Sequence, residues 1–264
     1  MKRVLMLLSN PYRPDPRVAS EAHALAENGY QGTVLCWDRR AELPERESRG
    51  GVEIVRVQDL RSGYGSGTAQ LVRLPRFWAR ATRLAAELRP AVVHAHDLDT
   101  LYAGWRIQKR LGCPLVFDAH EHYPAVMSLH LPAPLVWLLE RWQGWLAPRA
   151  DVIVTASTVL RDEFLAHGLS PVFALGNYHD LEAYMAVTAE QAHAIRASLG
   201  ATPAGLLVAY VGGFSRDRVL VPLVQAAALL PTVSVHLWGD GAQRPAIEAA
   251  VAGQSNSRYH GWLP

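Results

Sequence analysis

The sequence predicts an α/β fold built on parallel β-sheets, because strand and helix patterns alternate along its 264 residues. The clearest pattern covers residues 91–124, where two apolar segments, 91–93 and 115–117, flank a helical segment at 100–111. Asp99 or Thr100 provides the N-cap of this helix, and Gly112 ends it. A strand–helix–strand unit of this length implies a right-handed crossover between parallel strands, as in a doubly wound sheet.

The rest of the first half continues the alternation. Short apolar runs predict strands at 4–8, 33–36, 151–155 and 172–175, and alternating apolar and polar residues predict a strand near the sheet edge at 52–57. Helical patterns occupy 18–28, 74–88, 133–146 and a segment from Ser157 or Thr158 to 167. Gly29 ends the first helix and Pro75 fits the first turn of the second. Residues 1–178 are therefore predicted to form a complete domain.

A second, shorter series begins after residue 178. Thr188 and Gln191 form a capping box that opens a helix ending at Gly200. Strands are then predicted at 206–211, 233–238 and 258–260, with helices at 219–230 and up to 252. The pattern reaches only three strands, so residues 179–264 are predicted to form a partial domain with an apolar sheet edge that promotes self-association.

Composition narrows the class of protein. A formal net charge of +2 argues against a nucleic-acid-binding protein. Cys36 and Cys113 are too few for a disulfide framework and lack metal-ligand spacing, so we expect buried free thiols. The apolar run before Ser9 is too short for a signal peptide or a membrane span, which favours the first strand of a cytoplasmic α/β protein.

Histidine and carboxylate side chains follow the two strands of the 91–124 unit. The first strand runs into His94, His96 and Asp97, and the second into Asp118, His120 and Glu121. Both clusters are expected at one carboxyl edge of the sheet, where open α/β folds bind their ligands. His94 and His96 should share one side of their strand because side chains alternate with a period of two.

The ordered motifs of the chain resemble family 4 of the retaining glycosyltransferases. The matching segments run collinearly at 15–30, 92–104, 114–124, 150–157, 175–180, 210–218, 238–249 and 260–264. The resemblance implies the GT-B fold, in which two Rossmann-like domains face each other. It also implies transfer of a sugar from a nucleotide-sugar to a glycan, lipid-linked or small-molecule acceptor, as in polysaccharide biosynthesis. The anomeric configuration is retained, and neither a cofactor nor a catalytic metal is needed.

The resemblance also assigns residues in the first domain. His120 matches the histidine beside the reacting sugar, with Asp118 and Glu121 in the same motif, and these three are the candidate catalytic residues. Ser9, Asn10, Arg17, His96 and Asp97 are the candidate acceptor-side residues. Many relatives have glycines where this chain has Ser9-Asn10-Pro11, and the nearby arginines fit either a negatively charged acceptor or a solvated loop.

On the donor side, the resemblance points to the ends of two strands in the second domain. The candidate donor-binding residues are Gly212, Gly213, Arg216, Arg218 and Asp240. Glycines there allow backbone amides to approach a diphosphate. Gly213 replaces the arginine usual in the family, Arg218 occupies the position of its lysine, and Asp240 is alternatively only a turn residue.

Two other functions remain open. The acidic donor-binding pair of the family would lie beyond Pro264, so the chain is alternatively a noncatalytic or inactive transferase fragment, with weak or absent donor binding. A metal-dependent hydrolase using His94, His96 and His120, together with Asp97 and His122, is the second alternative. Leu98 breaks the usual binuclear motif of such hydrolases.

Two segments suggest peripheral membrane contact. Arg76, Arg80 and Arg83 share one helical face, and Trp137, Trp142 and Trp145 lie near Arg141 in a second amphipathic segment. Core packing of the tryptophans and a solvated arginine face are the alternative interpretation.

Overall fold

The computed structural model describes residues 2–13, 15–61, 68–129, 131–178, 185–200, 205–215 and 218–263, without the side chains of 68–72. The chain divides into two compact units, Met1–Tyr178 and His179–Pro264. Each has its own sheet, mostly parallel in the first unit and parallel in the second, and its own apolar core. No helix in the described ranges combines the length and the apolar character that crossing a bilayer requires.

The first unit alternates strands and helices. Its strands are β1 (Lys2–Leu8), β2 (Tyr30–Trp37), β3 (Arg46–Arg49), β4 (Val52–Val57), β5 (Val92–His96), β6 (Leu115–Ala119), β7 (Val152–Thr155) and β8 (Val172–Ala174). Its helices are α1 (Pro16–Glu27), α2 (Thr68–Leu88), α3 (Leu98–Leu111), α4 (Tyr123–Met127), α5 (Ala133–Leu146) and α6 (Thr158–Ala166).

The strands form one sheet in the order β3-β4-β2-β1-β5-β6-β7-β8. All neighbours are parallel except β3 and β4. The predicted parallel pairing of the two strands around α3 is confirmed, since Val93 pairs with Leu115 and His96 with Asp118. β1 lies near the centre of the sheet. The chain adds β2 and then β4 on one side of β1 and then crosses to add β5 to β8 on the other, so the strand order reverses at β1.

The central strand is buried on both faces, which explains its uninterrupted apolar sequence. Leu5 and Leu7 belong to the larger core cluster, which includes residues of α2 and α3. Met6 and Leu8 point to the opposite face and pack with Val18 of α1. Side chains at successive positions of a strand alternate between the two faces of the sheet, so this one strand packs against the helices on both faces.

Three local predictions for the first unit need correction. α3 begins at Leu98, one residue before Asp99 and two before Thr100, the predicted caps, and the Thr100 hydroxyl donates to the His96 carbonyl oxygen at 2.6 Å inside the first turn. Asp97 stands at the N-cap position without a side-chain cap bond. α2 begins at Thr68, so Pro75 lies inside the helix rather than in its first turn. Sequence patterns also did not predict β3 or α4, because both are short and β3 consists of polar residues only.

The second unit has a three-stranded parallel sheet. Its strands are β9 (Leu206–Val211), β10 (Val233–Trp238) and β11 (Ser257–Tyr259), in the order β11-β10-β9. Its helices in the described ranges are α7 (Ala189–Ser198), α8 (Leu220–Ala228) and α9 (Arg244–Val251). The capping box is confirmed: Thr188 Oγ1 accepts from Gln191 N at 3.2 Å, and Gln191 Oε1 accepts from Thr188 N at 2.9 Å. The core is centred on fully buried Phe214, Val235 and Leu237.

Candidate functional site

The candidate site lies at the carboxyl edge of the first sheet. β2, β1, β5 and β6 are consecutive neighbours in this sheet and run parallel, so the loops that follow them emerge side by side. This edge next to the reversal of strand order is the usual ligand position in doubly wound folds. The polar residues that the sequence places after β5 and β6 are therefore brought together by the register of the sheet.

Three imidazoles and one carboxylate form the centre of the site. The His94 and His96 rings stack with centroids 4.3 Å apart, which confirms that both lie on one side of β5. His96 Nδ1 is 3.0 Å from His120 Nε2. Asp118 Oδ2 lies 3.1 Å from His96 Nδ1, 3.3 Å from His120 Nε2 and 3.5 Å from His94 Nε2. We call His94, His96, Asp118 and His120 the histidine cluster.

Burial sets the charge state of this cluster. Loss of solvent lowers the pKa of His96 to about 4 and also lowers the pKa of His120, so both rings are neutral at pH 7. For Asp118, burial alone would raise the pKa, but the contacts with His94 and His96 bring it well below its usual value. The result is one buried carboxylate held by imidazoles that can act as hydrogen-bond donors or acceptors.

Glu21 completes the site, and it was missed in the sequence. It lies on α1, with Oε2 3.8 Å from His94 Nδ1 and 3.9 Å from His96 Nε2. Burial, and then the nearby charge of Asp118, raises the pKa of Glu21 to about 9. Its position on α1 could have indicated that it faces the sheet. Val18 lies three residues before it and Ala22 one residue after it, and these two residues form the buried face of that helix.

The same residues offer a ligand set for a cation. One oxygen or ring nitrogen each from Glu21, His94, His96 and Asp118 lies within 4.8 Å of the other three. Two imidazoles and two carboxylates suit zinc or manganese. This set differs from the one predicted for a hydrolase. His122 is turned away from it, because its Nδ1 accepts from Ala125 N at the start of α4 and its Nε2 is 3.0 Å from Glu163 Oε1.

The other predicted residues of the 91–124 unit surround the cluster. Asp97 is in the left-handed region with φ 63°. Burial, followed by the charges of Asp99 and Glu121, raises the pKa of Asp97. Glu121 is exposed at the end of β6. Of these two predicted residues, Asp97 is half-buried and Glu121 faces solvent.

The loop after β1 carries the predicted acceptor-side residues. Asn10 Oδ1 accepts from Tyr12 N at 2.9 Å, and the Ser9 carbonyl oxygen accepts from Arg39 Nη2 at 2.9 Å, so both residues shape the loop. Arg17 is bidentate on Asp15, with Nε–Oδ1 3.1 Å and Nη2–Oδ2 3.0 Å. Beside this loop lies a cavity of about 550 Å³, which also borders the loop after β2.

The glycines of the predicted donor region let two loops of the second unit pack closely. A side chain on Gly239 would place Cβ 1.8 Å from the Gly212 carbonyl oxygen, and one on Gly241 would place it 2.8 Å from the Phe214 carbonyl oxygen. Gly212 N donates to the Trp238 carbonyl oxygen at 3.0 Å. Gly213, by contrast, has open space around its Cβ position.

The charged candidates for donor binding, Arg216, Arg218 and Asp240, differ in their surroundings. Arg218 is exposed next to the start of α8. Asp240 accepts from Gly241 N at 2.8 Å and lies 3.8 Å from Arg244 Nη1, which are the contacts of a turn residue. Arg216 lies outside the described residues.

Comparison with protein-family models identifies the family of the first unit. A family model described as a glycosyl transferase 4-like domain matches residues 14–177, which contain the whole histidine cluster and Glu21. No curated protein sequence matches the chain.

The fold resembles several solved structures. Sucrose-phosphate synthase from Thermosynechococcus elongatus superposes with a TM-score of 0.78 at 16% identity, covering 100% of this chain and 71% of that one. HepE from Anabaena, in complex with UDP-glucose, gives 0.70 at 16% identity over 100% and 70% of the two chains. A glycosyltransferase from Rickettsia africae gives 0.64 at 10% identity over 99% and 69%. These similarities show the GT-B type of fold, with the second domain partly represented.

Proposed function

The chain belongs to the glycosyl transferase 4-like family, and on that premise we propose that it transfers a sugar from a nucleotide-sugar to an acceptor with retention of configuration. The observation that carries the proposal is the histidine cluster at the carboxyl edge of β5 and β6, inside the segment that matches the family. The HepE structure contains UDP-glucose, which supports a nucleotide-sugar as donor. Acceptors of the proposed reaction are a glycan, a lipid-linked sugar or a small molecule.

His120 is the proposed catalytic residue in the first unit. Its contacts with His96 and Asp118 both use Nε2, so Nδ1 is the ring nitrogen proposed to bind a sugar hydroxyl. A neutral imidazole in this position donates or accepts a hydrogen bond without a charge that must be solvated. Asp118 holds the ring in place and stabilises positive charge that develops near it as the bond to the leaving diphosphate breaks.

The proposed donor site is the loop region of the second unit. Gly212 and Gly213 follow β9, and the close packing of Gly239 against Gly212 brings the ends of β9 and β10 together. Backbone amides and the nearby Arg218 suit a diphosphate. The proposed reaction uses no cofactor and no catalytic metal, because positioned hydrogen bonds and arginine charge meet the requirements of the leaving group.

Substitution of His120 tests the proposal. In the longest natural protein that contains this sequence, His120→Ala should lower turnover of a nucleotide-sugar panel by about 10²-fold, as loss of a positioned polar group does. His122→Ala is the matched control, because His122 caps α4 and contacts Glu163 rather than the cluster. Equal turnover in the wild type and His120→Ala would refute the catalytic role.

A metal-dependent hydrolase is a second candidate, favoured by the ligand set of Glu21, His94, His96 and Asp118. The two candidates make opposite predictions for elemental analysis. Stoichiometric zinc or manganese, lost together with hydrolysis activity in His94→Ala, supports the hydrolase. Full transfer activity of metal-stripped protein supports the transferase.

We also propose a cytoplasmic location with peripheral membrane contact through α5. Trp137 is 57% exposed and Trp145 43%, and the Arg141 guanidinium lies 5.1 Å from the centre of the Trp137 ring. Trp142 fits the alternative of core packing instead, because it is partly buried and its ring centre lies 5.7 Å from that of Trp78. Flotation with anionic vesicles at low salt tests the contact, and Trp137→Ser should reduce it.

A further inference from the structure

The cavity beside the β1 and β2 loops has an unusual lining. Arg13, Arg17, Arg39 and Arg40 all border its volume of about 550 Å³. Three carboxylates, Asp15, Asp38 and Glu42, also line it, so the lining carries four positive and three negative charges. We call this cavity the arginine pocket. Four guanidinium groups around one cavity are a common arrangement for binding phosphate or carboxylate.

Two of the three carboxylates are already committed to the local structure. Asp38 accepts hydrogen bonds from four successive backbone N–H groups, at residues 40–43, and from Gln58. These bonds fix the loop after β2. Asp15 caps α1 and is bound by both nitrogens of the Arg17 fork. Neither carboxylate is therefore available to neutralise Arg13 or Arg40.

Glu42 is shared by the two remaining exposed arginines. Its carboxylate contacts Arg13, and its Oε1 lies 3.6 Å from Arg40 Nη1. The side chains of Arg13, Arg40 and Glu42 are 60%, 59% and 41% exposed, so they are free to move away from one another. The Glu42 carboxylate thus lies between two guanidinium groups, as the anionic group of a bound ligand would.

Other features of the pocket also favour an anion. α1 begins at Pro16 in the pocket wall, and beyond its N-cap Asp15 it has no acidic residue in its first turn. The positive end of a helix dipole stabilises a nearby anion. Arg39, which also lines the pocket, is fixed, because its guanidinium lies 4.5 Å from the Trp37 ring centre and its Nη2 donates to the Ser9 carbonyl oxygen.

We propose that the arginine pocket binds an anionic group of the acceptor, a phosphate or a carboxylate, and that the Glu42 carboxylate occupies this position when the acceptor is absent. This inference rests on the proposed transferase function. Asp15 and Arg17 connect the pocket with the reaction centre, because both lie close enough to His120 to influence its pKa after the larger effects of burial and Asp118. An acceptor held by its anionic group in the pocket would thus extend its hydroxyl toward the histidine cluster.

Titration of the full chain with inorganic phosphate at low ionic strength tests this pocket. Glu42→Gln should tighten phosphate binding by about five-fold, because it removes the competing carboxylate and leaves both arginines in place. Arg40→Gln should weaken binding by about five-fold. If Glu42 had only a structural role, Glu42→Gln would not increase the affinity for phosphate. Tighter binding in Glu42→Gln together with weaker binding in Arg40→Gln is therefore specific to the proposal.

A matched pair provides the control. Arg46 Nη1 and Glu53 Oε1, 3.6 Å apart on β3 and β4, form an ion pair of similar exposure that does not line the pocket. Arg46→Gln and Glu53→Gln should leave phosphate affinity unchanged. Equal affinities in wild type, Glu42→Gln and Arg40→Gln would overturn the proposal. The phosphate titration contains no sugar donor, so a negative result would leave the proposed transferase function untouched. Conversely, a negative result for His120→Ala would say nothing about phosphate binding in the pocket.

The same variants distinguish two sources of the anion. Glycerol 3-phosphate represents a soluble acceptor, and vesicles of phosphatidylcholine with phosphatidic acid represent a lipid headgroup. Both sources predict that Glu42→Gln strengthens binding and Arg40→Gln weakens it. If the two substitutions change vesicle binding in these directions, the acceptor is lipid-linked. If they change the binding of glycerol 3-phosphate in these directions but leave vesicle binding unchanged, the acceptor is soluble.

Discussion

β1 and β9 are both largely apolar but have very different surroundings. Each is parallel to its neighbours and is the first described strand of its unit. β1 lies between β2 and β5, and Leu5 and Leu7 are fully buried. β9 is the outermost strand of its sheet in the described residues, where Leu206 is 62% and Val211 66% exposed. An apolar run thus indicates a strand that favours burial, but only its neighbours decide whether burial occurs.

The two units also contain similar pairs of histidines with different partners. In the first, His96 Nδ1 is 3.0 Å from His120 Nε2; in the second, His236 Nδ1 is 2.8 Å from His260 Nε2. Asp118 lies between the first pair, whereas the Trp238 ring stacks on His260 at 4.5 Å. The carboxylate makes the first pair suitable for acid–base or polar catalysis, while the second has an aromatic platform.

Truncation of one leucine in each strand should give the largest contrast. Leu7→Ala should destabilise the first unit by about 2–5 kcal/mol, because it leaves a cavity in a closed core. Leu206→Ala should cost less than about 1 kcal/mol, because most of that side chain is already in solvent. Hydrogen exchange of each strand, followed separately in the two units, measures both values. Similar losses would show that β9 is covered in solution.

Glu21→Gln should stabilise the first unit. The folded pKa of about 9 lies above the ordinary value of 4.5, so folding takes up a proton and the free energy of unfolding falls as pH rises from about 4.5 to about 9. Glutamine removes this dependence and should increase stability at pH 7 by on the order of 1–3 kcal/mol. Urea unfolding at pH 5 and pH 8 provides the measurement.

Glu27→Gln, on the same helix, is the control for this prediction. Glu27 is 66% exposed and pairs only at 3.3 Å with exposed His23, so its removal should change stability little at either pH. If Glu21→Gln also had no effect, the carboxyl group would already be ionised in the folded protein and the interpretation of the cluster would be wrong.

A charge on the outer strand should have the smallest effect on stability. Val211→Lys should change the free energy of unfolding by less than about 0.5 kcal/mol, because Val211 is largely exposed. It should nevertheless reduce self-association, since lysine on an edge strand opposes pairing with another chain. Sedimentation at several concentrations measures this, with Val159→Lys as the control on α6. Unchanged association would mean that β9 is not the contact surface.

Much of the fold was predictable from the sequence. The bounds of Val52–Val57, Ala133–Leu146, Leu206–Val211 and Val233–Trp238 agree with the predicted ones. The periodicity of apolar residues predicted them, since it reflects which face of an element is buried. The helix start at Leu98 was less predictable, because Asp97, Asp99 and Thr100 are all favourable N-cap residue types and the sequence alone does not choose among them.

The sequence by itself determined that histidines and carboxylates follow two parallel strands, because the residue order and the crossover rule bring strand ends to one edge. Only the tertiary structure decided the composition of the site. Glu21 reaches His94 and His96 from another helix, His122 turns toward Glu163, and Glu42 lies between Arg13 and Arg40. These contacts join residues far apart in the chain, so they depend on packing and register, which local patterns do not contain.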